Sequence, residues 1–156
     1  MRIKAQWIFA FAFALALVIS TAALAGPLRG KTYQGQSAST GTNSAGHQVP
    51  LHPSGGPISL AVSSNGKNVT VHFPSHYAII YCVTSEQLYG QTTKSTRIAS
   101  NGTFRATVAE RFSAGSGPAA ITQVVTGKFS GRTVKGTIRT EAPPCGGSTS
   151  FSATAR

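Results

Sequence analysis

From Pro57 to the end of the chain, apolar and polar residues alternate in short stretches that are separated by turn signals. A period of two is typical of strands that bury one face, and no stretch of this region has the period of an amphipathic helix. About eight short strands joined by tight turns are typical of an antiparallel sandwich or a small closed barrel. The pattern therefore predicts an all-β fold.

The clearest predicted hairpin surrounds Asn65-Gly66, a dipeptide that tolerates the positive φ angles of a type I′ turn. With a two-residue loop at Asn65-Gly66, the residue numbers of each cross-strand pair sum to 131. Val62 then lies opposite Val69, and the other inward residues of both strands also meet apolar partners. A slip by one residue would expose one of the two apolar rows to water. The turn and the pattern therefore predict the same register.

Four further strands are predicted after Asn101, where a bulge or a longer loop is expected because it keeps Ile98 beside Phe104. Their inward residues are predicted to be Phe104, Ala106, Val108, Phe112, Ile121, Val125, Phe129, Val134, Ile138, Phe151, Ala153 and Ala155. A first strand at 30–35 is expected to pair with 148–155 and so close the sheet.

Two registers are predicted within this group of strands. In the first hairpin the residue numbers of each cross-strand pair sum to 233, which places Phe104 opposite Phe129. In the next hairpin they sum to 263, which places Gly127 opposite Gly136. Inward glycines that face each other allow a sheet to coil sharply.

Residues 34–57 are dominated by glycine, serine, threonine, glutamine and proline, and they have no apolar period. They predict a long loop or a flexible arm. The predicted organisation is a signal peptide at 1–25, a first strand and arm at 26–57, and a β domain at 58–156 that forms one domain with 28–35.

The first residues have the three parts of a secretory signal peptide. These are a basic start, Met1–Lys4, an apolar run, Trp7–Ile19, and the small residues before a cleavage site after Ala25. The apolar run is shorter than the ~20 residues of a bilayer-spanning helix, so the mature form is expected to lack a transmembrane anchor. The protein is predicted to be secreted, extracellular or periplasmic.

The charge balance is strongly basic, with 14 lysines and arginines against three glutamates and no aspartate. Removal of the leader takes away Arg2 and Lys4, so the formal charge falls from +11 to +9. Such a charge favours anionic partners, for example phosphate-rich envelope polymers, through an attraction that salt weakens. The alternative is that the charge only keeps an exported domain in solution.

The predicted registers collect cations on one outward face. Arg105 is predicted opposite Lys128, and Lys128 opposite Lys135, with Arg111, Arg132 and Arg139 nearby. Like charges directly opposite each other destabilise a sheet, so this row indicates an anionic partner. Aromatic residues do not alternate with these cations, which disfavours nucleic acid.

The two cysteines, Cys82 and Cys145, both follow the leader and are predicted to pair in an oxidising compartment. Closing a loop of this length stabilises a fold by roughly 4 kcal/mol in the chain-entropy model.

Candidate catalytic groups are few. Glu86, Glu110 and Glu141 lie on separate predicted elements, although Glu110 shares the inward row of its strand. The histidines, His47, His52, His72 and His76, have no metal-binding spacing on a helix. We therefore expect no catalytic residues, no metal and no cofactor.

Several short motifs resemble a loose family of small exported bacterial all-β proteins of actinobacterial type that has no assigned function. They are the opening segment at 30–35, the turn at 101–104, the hairpin from 127 to 137 and a cysteine shortly before the Ser-Phe-Ser-Ala stretch at 150–153. The long segment at 36–56 departs from the compact form of that family. The resemblance implies an exported β domain and supplies no catalytic residue.

The sequence thus predicts an exported, disulfide-linked β domain that acts as a non-catalytic binding or envelope-associated module with a preference for anionic partners. A secreted inhibitor or small-ligand carrier is the alternative, and an enzyme ranks third.

Overall fold

A computed structural model describes residues 26–51, 56–73, 78–80, 85–87, 91–114, 117–142 and 145–156. The described residues form strands and turns without a helix. The strands are β1 (Thr32–Ser37), β2 (Thr40–Asn43), β3 (Gln48–Pro50), β4 (Pro57–Val62), β5 (Asn68–Phe73), β6 (Ala78–Ile80), β7 (Ser85–Gln87), β8 (Gln91–Thr92), β9 (Thr96–Arg97), β10 (Thr103–Ala114), β11 (Gly117–Ser130), β12 (Thr133–Ala142) and β13 (Cys145–Ala155).

The main sheet is antiparallel and curls into a nearly closed eight-stranded barrel. Its strands follow the order β10-β11-β12-β13-β1-β4-β5-β8. Closure comes from β9, which pairs with β5 and leads into a bridge between Ile98 and Phe104 at the start of β10. The Thr96 hydroxyl also donates to the Arg105 carbonyl at 3.0 Å. The predicted all-β fold is confirmed, in its barrel form.

Three predicted pairings are confirmed. Val62 lies opposite Val69 in the β4–β5 hairpin, and Gly127 lies opposite Gly136 between β11 and β12. The closing pair of strands is also present, because β1 pairs with β13 from Tyr33 onward. The last of these pairings brings the first and last described strands side by side.

The β4–β5 turn differs from the predicted type I′ geometry. Among the described residues only glycines have positive φ, and in this turn that residue is Gly66, at +72°. The loop is longer than two residues: the Gly66 amide donates to the Ser63 carbonyl at 2.8 Å, and the Asn65 side chain accepts from the Lys67 amide at 2.9 Å. The Asn65 side chain therefore supports the loop through a hydrogen bond, while its backbone avoids the left-handed region.

The longer loop predicted near Asn101 is confirmed. Ile98 pairs with Phe104, and the Ala99 amide donates to the Thr103 carbonyl at 2.8 Å. Gly102 occupies the left-handed region at +82°, which is typical of a three-residue hairpin loop.

The predicted β10–β11 register is wrong by two residues. Phe104 lies opposite Gly127, where the prediction placed Phe129, and the pairing continues to Ala114 opposite Gly117. The loop at this hairpin is therefore shorter than predicted. A shift of two preserves which side chains point inward, so the predicted faces survive.

The core lies inside the barrel. The predicted inward residues of β10–β13 whose side chains are described are buried, except Val108, which is half-buried. One continuous cluster contains Tyr33, Ile58, Leu60, Val62, Val69, Val71, Phe73, Ile98, Phe104, Ala106, Val125, Phe129, Val134, Ile138, Phe151, Ala153 and Ala155.

One inward row crosses the four long strands at two glycines. Its members, which we call the glycine row, are Phe104, Gly127, Gly136 and Phe151, paired in that order from β10 to β13. A Cβ atom at Gly127 would lie 2.6 Å from the Phe104 ring, and one at Gly136 would lie 2.6 Å from the Phe151 ring. The two aromatic rings therefore occupy the space that the missing side chains leave.

The segment predicted as a loop or arm contains two short strands. β2 pairs with β3, and it also pairs with the first part of β13 through Thr42 and Asn43. The Asn43 side chain accepts from the amides of Ala45 and His47 at 3.0 and 2.9 Å, which closes the hairpin turn. Pairing with β13 and this amide side chain organise a segment that has no apolar period.

The predicted disulfide falls partly outside the described residues, because Cys82 is not among them and only the backbone of Cys145 is described. Cys145 begins β13 opposite Ala142. The Cys82–Cys145 pair remains a prediction.

Candidate anion-binding face

Two lysines face each other on the outside of the barrel. Lys128 in β11 lies directly opposite Lys135 in β12, as predicted, and both side chains are exposed. They belong to an outward row, the lysine row, whose members from β10 to β13 are Thr103, Lys128, Lys135 and Ser152. Directly opposed residues have Cβ atoms about 4.5–5.5 Å apart, so the two ammonium groups share one patch of surface.

The predicted position of Arg105 opposite Lys128 is wrong. The two-residue shift of β10 places Arg105 opposite Thr126, and Lys128 opposite Thr103. Arg105 is therefore a diagonal neighbour of Lys128, at roughly 7–8 Å across the sheet. Its side chain is exposed on the same outward face. We use the name basic face for Lys128, Lys135 and Arg105.

The three other predicted members do not belong to the lysine row. Arg132 lies in the β11–β12 turn, and its guanidinium donates to the Ala155 carbonyl at 3.3 Å. Arg139 is further along β12, where its Nε lies 3.4 Å from a Glu141 carboxylate oxygen. The backbone of Arg111 pairs with Ala120 near the far end of β10, and its side chain is outside the described part of the chain.

The charges of the basic face have no acidic counterpart among the described side chains. Among the described side chains, an ion pair joins Arg139 to Glu141, and neither Lys128 nor Lys135 takes part in it. Glu141 lies opposite Gly146, close to the β12–β13 turn, whereas Lys128 and Lys135 lie close to the β11–β12 turn at the other end of these strands. Positive and negative charge are thus separated along β12.

Hydroxyl groups surround the lysines. Thr126 and Thr137 lie opposite each other beside the lysine row, and their hydroxyl oxygens are 2.9 Å apart. Ser152 continues the lysine row to Gln36 in β1. Hydroxyl and amide groups are able to donate hydrogen bonds, so the surface beside the lysines has donors of the kind that an oxyanion accepts from.

Beyond Gln36, the outside of the barrel carries a shallow groove of about 550 Å³. Its lining includes Gln34, Gln36, Ser59, His72 and Arg156. The His72 ring nitrogen Nδ1 lies 2.7 Å from the Thr92 hydroxyl. This groove is not predictable from the sequence, because its polar residues come from strands that are distant in the sequence.

The remaining chemical candidates are placed only in part. His47 lies in the β2–β3 turn and His72 in β5, while His52 and His76 are outside the described residues. The described residues contain no group of three or more metal-ligating side chains of the His, Cys, Asp or Glu types. The backbone of Glu110 pairs with that of Ile121, where the predicted register placed Phe112.

No protein-family model matches the chain, and no curated protein sequence matches it. Among solved structures, the chain resembles a crystal structure described as a "putative outer membrane protein" from Bacteroides fragilis NCTC 9343, with a TM-score of 0.48 and 16% sequence identity. The match covers 79% of this chain and 49% of the other, so this chain spans about half the length of that protein. The part of the chain that the structure describes contains no helix long and apolar enough to cross a membrane.

Proposed function

We propose that the protein is an exported, non-catalytic binding module whose basic face attaches it to an anionic polymer of the cell envelope. The observation that carries the proposal is the direct opposition of Lys128 and Lys135 without a described acidic partner. Like charges in this position cost stability, and features that break a local folding rule tend to mark functional sites. An external polyanion would supply the missing negative charge.

The location of the core supports an outside surface as the binding site. Tyr33, Val125 and Phe129 are fully buried inside the barrel, where their side chains fill its interior. Tyr33 and Phe129 are in edge-to-face contact, with ring centroids 5.0 Å apart. A described interior packed in this way favours an exterior binding module over a carrier that encloses its ligand there.

The test is binding of the exported protein to beads that carry polyphosphate, with uncharged dextran beads as the control for the matrix. We expect affinity to fall steeply with added salt, because binding releases the counterions of the polymer. The double variant Lys128→Glu/Lys135→Glu is expected to lose at least roughly tenfold in affinity.

The matched control is Lys31→Glu/Lys94→Glu, which changes the net charge by the same amount at two exposed cations outside the basic face. We expect this control to lose much less affinity than the lysine variant. Equal losses in the two variants would show that overall charge, and not the basic face, drives attachment. An affinity for polyphosphate that does not change with salt concentration would contradict the proposal.

A further inference from the structure

A second basic site lies at the end of the barrel that carries the β11–β12 turn. It is a pocket of about 340 Å³, the end pocket, formed by the N-terminal segment, the β4–β5 turn and the loop before β10. Its lining residues are Gly26, Pro27, Arg29, Asn65, Gly66, Lys67, Ile98, Ala99 and Ser100. Two of its side chains are cations, Arg29 and Lys67, and Ser100 adds a hydroxyl.

The N-terminal segment is fixed against the barrel by hydrogen bonds. The fully buried Tyr33 side chain accepts from the Leu28 amide at 2.8 Å and donates to the Gly131 carbonyl. The Gly30 amide donates to the Ser63 carbonyl at 3.0 Å, and Pro27 forms a bridge with Gly131. Gly26 is thus one residue from a paired position, which limits where its nitrogen lies.

The exposed Arg29 side chain lies beside the β4–β5 turn. It lies on Gly66, where an added Cβ would be 2.9 Å from Cγ and 3.6 Å from Nε of Arg29. Gly66 therefore serves twice, because it adopts a positive φ of +72° and leaves room for the arginine stem. The planar guanidinium presents several donors in the geometry that matches a phosphate or carboxylate group.

The charge of the end pocket is not neutralised by a described side chain. Neither Arg29 nor Lys67 forms an ion pair with a described residue. Cleavage after Ala25, which the sequence predicts, would free the nitrogen of Gly26 as an α-ammonium group in the lining of the same pocket. The exported chain would then have three cationic donors there, whereas the precursor has two.

We infer that the end pocket binds an oxyanion, a phosphate or carboxylate group, and that removal of the leader completes it with the α-ammonium group of Gly26. The inference shares only the export step with the proposed function. It concerns a different set of residues from the basic face and a small ligand rather than a polymer.

The test is an NMR titration of ¹⁵N-labelled protein, exported by an expression host that removes the leader, with inorganic phosphate and separately with acetate. Mass spectrometry is expected to show a chain that begins at Gly26, and a different start would overturn the completion step. We expect phosphate or acetate to shift the amide signals of Arg29, Gly66, Lys67 and Ser100 more than those of the barrel strands. The anion that binds more tightly identifies the ligand as a phosphoryl or a carboxylate group.

Three variants separate the contributions. Arg29→Gln and Lys67→Gln are each expected to weaken binding roughly tenfold, because each removes a charge-assisted donor. The control Lys94→Gln makes the same change of charge outside the end pocket and is expected to keep the affinity. Unchanged binding in both Arg29→Gln and Lys67→Gln would overturn the inference.

N-terminal acetylation of the exported protein removes the α-ammonium charge and is expected to weaken binding by a similar factor. Full affinity after acetylation would overturn the role of Gly26. The variant Lys128→Glu/Lys135→Glu is expected to keep the response of the end pocket, whatever its effect on polyphosphate binding. If that variant alone removed the phosphate response, the anion would belong to the basic face and the inference would fail, while the proposed function would stand.

Discussion

Two rows of side chains cross the same four strands, β10 to β13, and point in opposite directions. The glycine row faces the interior, where Gly127 and Gly136 lie between two phenylalanine rings. The lysine row faces outward, where Lys128 and Lys135 lie between two hydroxyl groups. In each strand the two rows are adjacent in sequence, so the pleat alone separates them.

The glycine row lacks side-chain volume, and the lysine row lacks negative charge. The two rows differ in whether other side chains of the fold supply what is missing. In the glycine row, the missing volume at Gly127 and Gly136 is filled by the rings of Phe104 and Phe151. In the lysine row, the positive charge meets no acidic side chain among the described residues. The inner row is therefore complete within the fold, whereas no described acidic side chain balances the charge of the outer row. Substitutions in the inner row are expected to change stability, and those in the outer row to change binding.

Among substitutions in the glycine row and the lysine row, Gly136→Ala is expected to lower the free energy of unfolding most. Its new Cβ would overlap the carbonyl oxygen of Thr126 and lie 2.6 Å from the Phe151 ring, so the backbone of two strands must move. We expect the free energy of unfolding to fall by about 3 kcal/mol or more, at the upper end of overpacking effects. Urea unfolding of the exported protein measures this loss.

The control for Gly136→Ala is Thr137→Ala, one residue along on the outward face, where the removed methyl and hydroxyl groups are exposed. It is expected to cost less than about 1 kcal/mol. The Gly136→Ala variant is expected to bind polyphosphate with the same affinity as the protein without the substitution, under conditions where the variant remains folded. A stable Gly136→Ala protein would contradict the close packing of the glycine row.

Gly127→Ala is expected to have a smaller effect, because its Cβ would press mainly on the movable Phe104 ring, at 2.6 Å, with the Lys135 carbonyl oxygen at 3.3 Å. We expect a loss of about 1–2 kcal/mol in the same urea assay. In a Phe104→Leu background the loss is expected to be smaller, since the clashing ring atoms are absent. A double-mutant cycle measures this coupling.

The corresponding cycle of Gly136→Ala with Phe151→Leu serves as the comparison. Little relief is expected there, because the Thr126 carbonyl remains in place. Equal relief in both cycles would mean that the rings, and not the backbone, set the cost at both glycines.

The same two rows show what the sequence can and cannot predict. The β11–β12 register was predictable because a short turn and the inward residues agree, and the structure confirms Gly127 opposite Gly136. The β10–β11 register was not, because a shift by two keeps every side chain on its predicted face. The observed register places Phe104 against Gly127 and leaves room for the ring, which a count of alternating residues does not consider.

That shift also changed the candidate site. The predicted opposition of Lys128 and Lys135 is confirmed, because both belong to the β11–β12 hairpin. Arg105 lies diagonally from Lys128 instead of opposite it, because the register of β10 differs by two residues from the predicted one. The end pocket is not predictable from the sequence, because Arg29, Lys67 and Ser100 come from three separate loops that only the folded barrel brings together.

The β2–β3 hairpin shows a different limit. Its segment has no apolar period, and such a sequence predicts a loop or arm. The structure organises it through pairing of Thr42 and Asn43 with β13 and through the hydrogen bonds of the Asn43 side chain. Strands that are fixed by an adjacent edge and a polar turn leave little trace in the hydrophobic pattern.

The smallest expected effect belongs to the lysine row and has the opposite sign. Lys135→Gln removes one of two directly opposed charges, so we expect the free energy of unfolding to rise by several tenths of a kcal/mol at about 10 mM salt. The gain is expected to disappear near 1 M salt, where the screening length is about 3 Å. Lys94→Gln, at an exposed cation outside the row, corrects for the general relief of the net positive charge. If Lys135→Gln lowered stability instead, the lysine would have a stabilising partner within the chain, and the contrast between a complete inner row and an incomplete outer row would fail.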